Sequence, residues 1–389
     1  MPEAVIVSAV RTAIGTARKG SLSETRAEFL AEQIVRAAVG RSGLSHEKID
    51  DVILAESLYG GGDLARYAAV AAGMTGVAGQ AINRHCAGSL TAVGNAAGSI
   101  RAGMDAAIVA GGVQSSSLAP KLVWRVPGTA DETYEGMAPT FPYTEDATDD
   151  VSINVGWNVA KEAGITREEM DAWAFRSHQR AVAATDAGKF ADEIVPIPVT
   201  KADGSVVEFA VDEHPRRNST LEKLASLKPL HPEIEGFSIT AGNASGVNDA
   251  AAALTVVADD LAASEGLDTL ATVRAWAAVG VEPRRTGMAA VEVIPLVLKR
   301  AGLDVGDVAL WEINEAFASV PVAACKLLGL DEEKVNIFGS GCSLGHPVSA
   351  SGARMLTTLV HELRRRGGGI GVATMCAGGG QGGAVVIEV

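Results

Sequence analysis

Cysteine, aromatic residues and positive charge are all scarce in this chain, and each scarcity excludes something. Four cysteines in 389 residues, at positions 86, 325, 342 and 376, show neither Cys-x-x-Cys spacing nor clustered histidine partners. No disulfide framework and no metal site are expected, and the thiols are expected to be reduced, as in a cytoplasmic protein. Aromatic residues make up 4% of the chain against 44 glycines, so small side chains packed closely must build the core. The glycines follow no Gly-X-Y period, which excludes a collagen-like chain. Thirty-three basic residues face 47 acidic ones, a formal charge of −14, and the longest basic tract is Arg364-Arg365-Arg366 before three glycines. A nucleic-acid partner needs a basic stripe, which is absent, and three arginines ahead of glycine read as a helix end. Long apolar runs are missing too. The stretch around 250–258 is far short of the ~20 residues that span a bilayer, and Met1-Pro2-Glu3 lacks a basic signal-peptide region. No membrane partner is expected.

What is present is ample apolar material, 47% of the chain with 21% charged residues, in a length that favours two domains. Residues 4–9 read as a buried strand, and 24–40 carry apolar residues at helical spacing. The segment Asp51 to Gly73 then recurs. It aligns without a gap on Asp307 to Gly329, an offset of 256 residues, with Val52 on Val308, Leu54 on Leu310 and Glu56 on Glu312. Each copy continues into a second strand and helix and then an apolar strand ending in glycines, 106–112 in the first and 370–374 before Gly378-Gly379 in the second. Alternation of this kind gives mixed or parallel sheets covered by helices, so two α/β halves are expected. Residues 118–243 differ in texture: Pro120, Pro127, Pro139 and Pro142 interrupt them, and Trp124, Tyr134, Phe141, Tyr143 and Trp157 gather there. This reads as a long ordered excursion. Within it, Thr166-Arg167-Glu168-Glu169 has the form of a capping box opening a helix to about Gly188. The cluster Arg216, Arg217, Lys223 and Lys228 is either an anion-binding surface or a solvated helical face.

Two motif matches fail on context. Gly378–Gly383 fits Gly-x-Gly-x-x-Gly, but a dinucleotide fingerprint needs a following helix, and 384–389 read as a strand. Gly341-Cys342-Ser343-Leu344-Gly345 fits a nucleophile elbow, whose acid and histidine should follow in that order; no acid lies between Ser343 and His361. Cys86 is different: it stands where a strand gives way to a Gly/Ala-rich helix running to about Arg101. A thiol at a helix N-terminus gains from the dipole and free N–H groups, which lower its pKa, as a nucleophile requires. Gly94 and Gly98 in that helix cost about 1 kcal/mol each relative to Ala, so close approach to another backbone is expected there.

Four segments, Asn83-Arg84-His85-Cys86, Asn314-Glu315-Ala316-Phe317-Ala318, Gly345-His346-Pro347 and Cys376-Ala377-Gly378-Gly379-Gly380-Gln381-Gly382, resemble the signature blocks of the thiolases, in family order and spacing. The resemblance extends through Arg11–Gly15, Gly111-Gly112-Val113, the Asp212–Pro229 block and Thr240–Asp249, essentially the whole chain. It implies the α/β thiolase fold, two duplicated βαβαβαββ halves forming a five-layer α-β-α-β-α core with an inserted loop domain. The implied division is 1–118 with 244–265, the loop domain 119–243, and 266–389. It also implies ping-pong acyl transfer between coenzyme A thioesters. Cys86 matches the nucleophile, His346 its base, and Cys376 the second cysteine, an acid–base at the acetyl-CoA α-carbon. Asn314 with His346 would face the enolate oxygen, and the backbone N–H groups of Cys86 and Gly378 the acyl-enzyme oxygen. Arg216 matches a nucleotide-contacting arginine and Ser245 a pantetheine contact, with Arg217 and Lys223 as further candidates. No permanently bound cofactor is implied; coenzyme A and acyl-CoA enter as substrates, and the family assembles as a homodimer or homotetramer.

Several blocks depart from the family pattern. Gly88-Ser89 is the reverse of the usual order, and Gln114–Ser117, Ser152–Asn158 and the first position of Thr286-Gly287-Met288-Ala289-Ala290 lack methionines that the family places near the acyl pocket. A reshaped pocket is expected, with a substrate other than acetoacetyl-CoA. A ketoacyl-synthase-type condensing enzyme lacks the second cysteine, so Cys376 argues against it. The remaining alternative is a thiolase-like protein that binds acyl-CoA without turnover.

Overall fold

The computed structural model of the chain describes residues 1–57, 59, 61–142, 148–201 and 203–389, so Tyr143 lies outside the described residues. The first half runs β1 (Ala4–Arg11), β2 (Gly15–Thr16), α1 (Ala27–Ser42), β3 (Asp51–Ala55), α2 (Leu64–Ala71), β4 (Ala78–Ile82), α3 (Gly88–Arg101) and β5 (Ala107–Gln114). The excursion carries β6 (Val123–Arg125), β7 (Thr133–Glu135), α4 (Asn158–Ala163), α5 (Arg167–Asp186), β8 (Ile197–Thr200), β9 (Val206–Phe209) and α6 (Leu221–Ala225). Then follow β10 (Asn248–Ala258), α7 (Asp259–Glu265), β11 (Ala271–Gly280), α8 (Ala289–Ala301), β12 (Val308–Ile313), α9 (Ser319–Leu328), α10 (Ser351–Arg366), β13 (Ile370–Ala377) and β14 (Gln381–Glu388).

The repeat read from the sequence is a repeat of topology. One half orders its strands β1-β10-β5-β3-β4 and the other β11-β14-β13-β12, and β1 meets β11 only through Val5–Thr272 and Ile6–Ala271. The counterpart of β4 in the second half has shrunk to a single bridge, Trp311 to Val335. Three apolar clusters define the layers. Leu30, Ile34 and Leu64 pack α1 and α2 on the outer face of the first half, and Val293, Ile294 and Val320 pack α8 and α9 on that of the second. Leu90, Val93, Leu356 and Leu359 of α3 and α10 lie between the sheets. The order is helix, sheet, helix, sheet, helix, as the thiolase resemblance implied.

Local expectations meet mixed outcomes. The capping box is present, with Thr166 and Glu169 satisfying each other's backbone N–H groups at the start of α5. Arg364–Arg366 end α10 before Gly367 at φ +88°. Gly94 and Gly98 make room for a side chain, not a backbone: a Cβ at 94 would lie 2.7 Å from the Trp276 ring. The 212–229 stretch is no helical face either, because its helix, α6, has five residues. Arg11 anchors the excursion, pairing in the core with Glu193 at 2.6 Å and Asp212 at 2.8 Å. Among the described residues, no helix is long and apolar enough to cross a membrane.

Candidate active site

The site is assembled from the two inner helix entrances and the hairpin between β13 and β14. After β4, the Asn83 side chain accepts the His85 N–H at 2.9 Å and turns the chain, with His85 at φ +43°. Cys86 sits in the one-turn 3-10 helix His85–Ala87, and α3 begins only at Gly88. Gly88 is required because a Cβ there would meet Ala55 at 2.6 Å; Ser89 Oγ accepts the Ala353 N–H at 3.0 Å, tying α3 to α10. The reversed Gly-Ser order thus has a structural reason. The expected dipole-lowered thiol is corrected: burial pushes Cys86 up to about 11, opposed only partly by backbone N–H groups, that of Gly378 among them.

Cys376 lies near the end of β13, paired across the hairpin with Gly382. Burial, and then the neighbouring Cys86, push its thiol far above the ordinary value. The turn that follows is held by glycine: Gly379 and Gly380 sit at φ +79° and +77°. Thr286 Oγ1 accepts the Gly380 N–H at 3.0 Å, and Gln381 Nε2 donates to the Gly378 carbonyl at 3.0 Å. Thr286 stands at the first position of one of the departing blocks, and it fixes this turn.

His346 follows Gly345, whose φ of +104° and contact with Asn248 exclude a side chain. Asn248 Oδ1 accepts the His346 N–H at 3.0 Å. The imidazole Nδ1 is 2.7 Å from Ser351 Oγ, which donates to the Pro347 carbonyl at 3.0 Å. A hydroxyl so engaged accepts from Nδ1–H, which leaves Nε2 unprotonated and able to accept. Burial, with the charge of Arg354, lowers His346 to about 4, so the ring is neutral at pH 7. Asn314 is fully buried, its Nδ2 3.4 Å from Nε2 and its Oδ1 without a partner among the described residues. The 348–350 turn after His346 packs on the Cys86 turn. Ser57 clasps the two, its N–H donating to Ser349 Oγ at 2.8 Å and its Oγ to the His85 carbonyl at 3.0 Å.

Family models match in two blocks, the thiolase N-terminal domain over residues 4–260 and the thiolase C-terminal domain over 267–389. The chain belongs to the thiolase family. It is 41% identical to the acetyl-CoA acetyltransferase of Escherichia coli (strain K12), covering 100% of this chain and 99% of that protein. It is equally 41% identical to the 3-oxoadipyl-CoA/3-oxo-5,6-dehydrosuberyl-CoA thiolase of the same organism, over 100% of both. Among solved structures, the Bacillus anthracis acetyl-CoA acetyltransferase superposes with a TM-score of 0.90 at 38% identity, covering 100% of this chain and 99% of that one. Human mitochondrial 3-ketoacyl-CoA thiolase gives 0.89 at 34%, covering 100% and 98%. Membership makes this thiolase an acyltransferase.

The remaining candidates divide. Arg216 is exposed, its backbone N–H donating to His178 Nδ1 at 3.2 Å. Arg217 is committed to Asp186 at 2.5 and 2.7 Å, and Lys223 to the Asn218 carbonyl at 2.8 Å. Ser245 lies on a strap that runs from the Asn314 block, where its N–H donates to the Ala316 carbonyl, to a bridge between Val247 and His346. Cys325 and Cys342 are buried and unpaired. Sequence reasoning missed Ser351, Asn248 and Glu315. The buried Glu315 carboxylate accepts from Trp173, Ser177, Asn336 and the Cys342 N–H, and so fixes the Asn314 loop. Its position beside Asn314 was visible; its four donors come from three distant segments.

Proposed function

We propose that this thiolase cleaves a 3-oxoacyl-CoA with coenzyme A, or runs the reverse Claisen condensation, through an S-acyl-Cys86 intermediate. His346 Nε2 takes the Cys86 proton, and the thiolate attacks the 3-oxo carbon. The C2–C3 bond breaks, its electron pair forming the acetyl-CoA enolate, which takes a proton at C2 from Cys376. Incoming coenzyme A returns a proton to Cys376, and its thiolate displaces Cys86, which takes back the proton held by His346. Backbone N–H groups of Cys86 and Gly378 stabilise charge on the acyl oxygen, and Asn314 and His346 that on the enolate oxygen. The observation that carries the reading is the meeting of Cys86, Cys376 and Gly378 at the β13–β14 hairpin, with the turn after His346 packed on the Cys86 turn.

Arg216, unpaired among the described residues, binds the nucleotide phosphates and Ser245 the pantetheine arm. The division into 1–118 with 244–265, 119–243 and 266–389 follows the same reading. Assembly is a homodimer or homotetramer: β4 is a sheet edge of Ala-Gly-Gln-Ala-Ile without a charge to block pairing. A cytoplasmic location, with a role in breaking down acyl chains, accords with four free thiols.

The test is coenzyme A-dependent loss of a 3-oxoacyl-CoA panel, beside Cys86→Ala and Cys376→Ala. Both variants are expected to lose about 10³-fold or more in turnover. Cys376→Ala should still be acylated at Cys86 by an acyl-CoA, read by intact mass. Tight coenzyme A binding with neither turnover nor acyl-Cys86 would make the protein a non-catalytic binder.

A further inference from the structure

The residue before the nucleophile has a role that the two-thiol chemistry leaves unexplained. His85 is held at φ +43°, a left-handed conformation uncommon outside glycine, and the Asn83 side chain accepting its N–H at 2.9 Å helps impose it. Its Nε2 lies 3.2 Å from Thr140 Oγ1, and its ring stands against Gly378, where a Cβ would come within 3.4 Å. The imidazole is therefore wedged between the oxyanion turn and the excursion, one residue from the acyl-accepting sulfur.

His85 also lines a cavity of about 390 Å³. Ser57 and Asn83 supply further polar atoms, and Ile82, Leu122 and Trp124 supply an apolar wall. Gly61 and Pro120 are shared with a second cavity of about 550 Å³, lined in part by Leu64 and Val113. Together these spaces exceed what an acetyl group needs and fall in the range of sites for drug-sized ligands. Glu56 lines the first cavity, which no lysine or arginine lines, and Glu28 and Arg26 line the second, where Arg26 is already paired with Glu28 at 2.5 Å, so a carboxylate-ended chain would find like charges and no uncommitted cation. Burial lowers the His85 pKa, and with Nε2 engaged by Thr140, its Nδ1 has no protein partner among the described residues. A neutral imidazole so fixed has one hydrogen bond to offer a ligand.

Resting on the thiolase reading, we propose that His85 is a specificity-determining residue: fixed by Thr140, it selects bulky, uncharged acyl groups that carry an oxygen substituent. A site built to hydrogen-bond an oxygen discriminates against the analogue lacking it, because its own polar group is left unpaired. Plain alkyl chains fill the apolar wall but leave His85 unsatisfied, and dicarboxylic chains meet Glu56.

The experiment compares kcat/KM for two substrates of equal bulk, 3-oxo-3-(4-oxocyclohexyl)propanoyl-CoA and its cyclohexyl counterpart, with 3-oxoadipyl-CoA and acetoacetyl-CoA alongside. The wild type is expected to favour the oxygenated ring by about ten-fold or more. His85→Phe should bring that ratio near one, chiefly through KM, and Thr140→Val should give an intermediate ratio. An unchanged ratio in His85→Phe, a proportional loss on both rings, or a wild-type preference for 3-oxoadipyl-CoA overturns the proposal. Failure of the thiolase reading looks different: no substrate is turned over and no acyl-Cys86 forms.

Discussion

A thiol that burial holds near 11 is almost wholly protonated at pH 7, so in the mechanism proposed above Cys86 would depend on His346 for each turnover. The free enzyme should betray this. Because the thiolate fraction below the pKa rises ten-fold per pH unit, alkylation of Cys86 by iodoacetamide should climb about ten-fold per unit from pH 7 to 9 without levelling. A plateau below pH 8 would show a thiolate stabilised by the helix end, the expectation that burial overrides here. Reliance on one base also makes its orientation matter. Ser351 accepts from Nδ1 at 2.7 Å and fixes which nitrogen faces the thiol. Ser351→Ala should lower kcat by about ten-fold or more, with Ser351→Thr restoring most of it, whereas a merely structural role would leave the pH dependence of kcat unmoved.

Glycine inside a helix is a cost that some contact must explain, and α3 shows which. At Gly94 and Gly98 the Trp276 ring of β11 lies against the helix backbone, so the second half of the molecule presses a large side chain onto the first. Gly94→Ala gains helix propensity of about 1 kcal/mol but drives a methyl into the ring, and overpacking costs about 1–3 kcal/mol. The expected outcome is lower stability in the native background and higher stability with Trp276→Ala, measured by thermal unfolding. The two glycines announced a close approach; the identity of the intruder, 182 residues beyond Gly94 in the chain, was not in the local pattern. The site divides along the same line. Cys86, His346 and Cys376 stood out as candidates because each sits in a short block of unusual residues. Ser351, Asn248 and Glu315 were not, since a common polar residue acquires its role only from what the fold brings against it. The two halves were legible as a repeat, but not the shrinkage of the second copy of β4 to one bridge, because residues 334–338 do not match 78–82 in the sequence.

Across the whole molecule, three histidines are buried neutral: His178 is lowered to about 3, His214 and His346 to about 4, each mainly by burial. An unfolded histidine keeps a pKa near 6.5, so below that pH the unfolded chain binds protons that the folded one refuses. Stability is therefore lost as pH falls from about 6.5 toward 4, each histidine contributing on the order of 2 kcal/mol by pH 5. Glu312 acts in the opposite sense, since burial raises its carboxyl to about 7 despite Arg354, and folding then favours its protonation. Asp51, Glu56 and Asp249, raised by burial, and His231, raised by its carboxylate partners, act with Glu312, whereas His85 and the ion-paired Glu28 act with the three histidines, whose larger shifts set a net loss in acid. His178 and His214 carry it into the excursion, where His178 accepts the Arg216 N–H and the His214 ring packs 6.2 Å from that of His178. The urea midpoint should fall between pH 7 and pH 5, and fall less in His178→Gln, whose amide can accept the same N–H without titrating. An equal fall in the variant would place the acid sensitivity elsewhere. A shallower one would tie it to the segment that presents Arg216, so that acid loosens that part of the excursion before it unfolds the sheets.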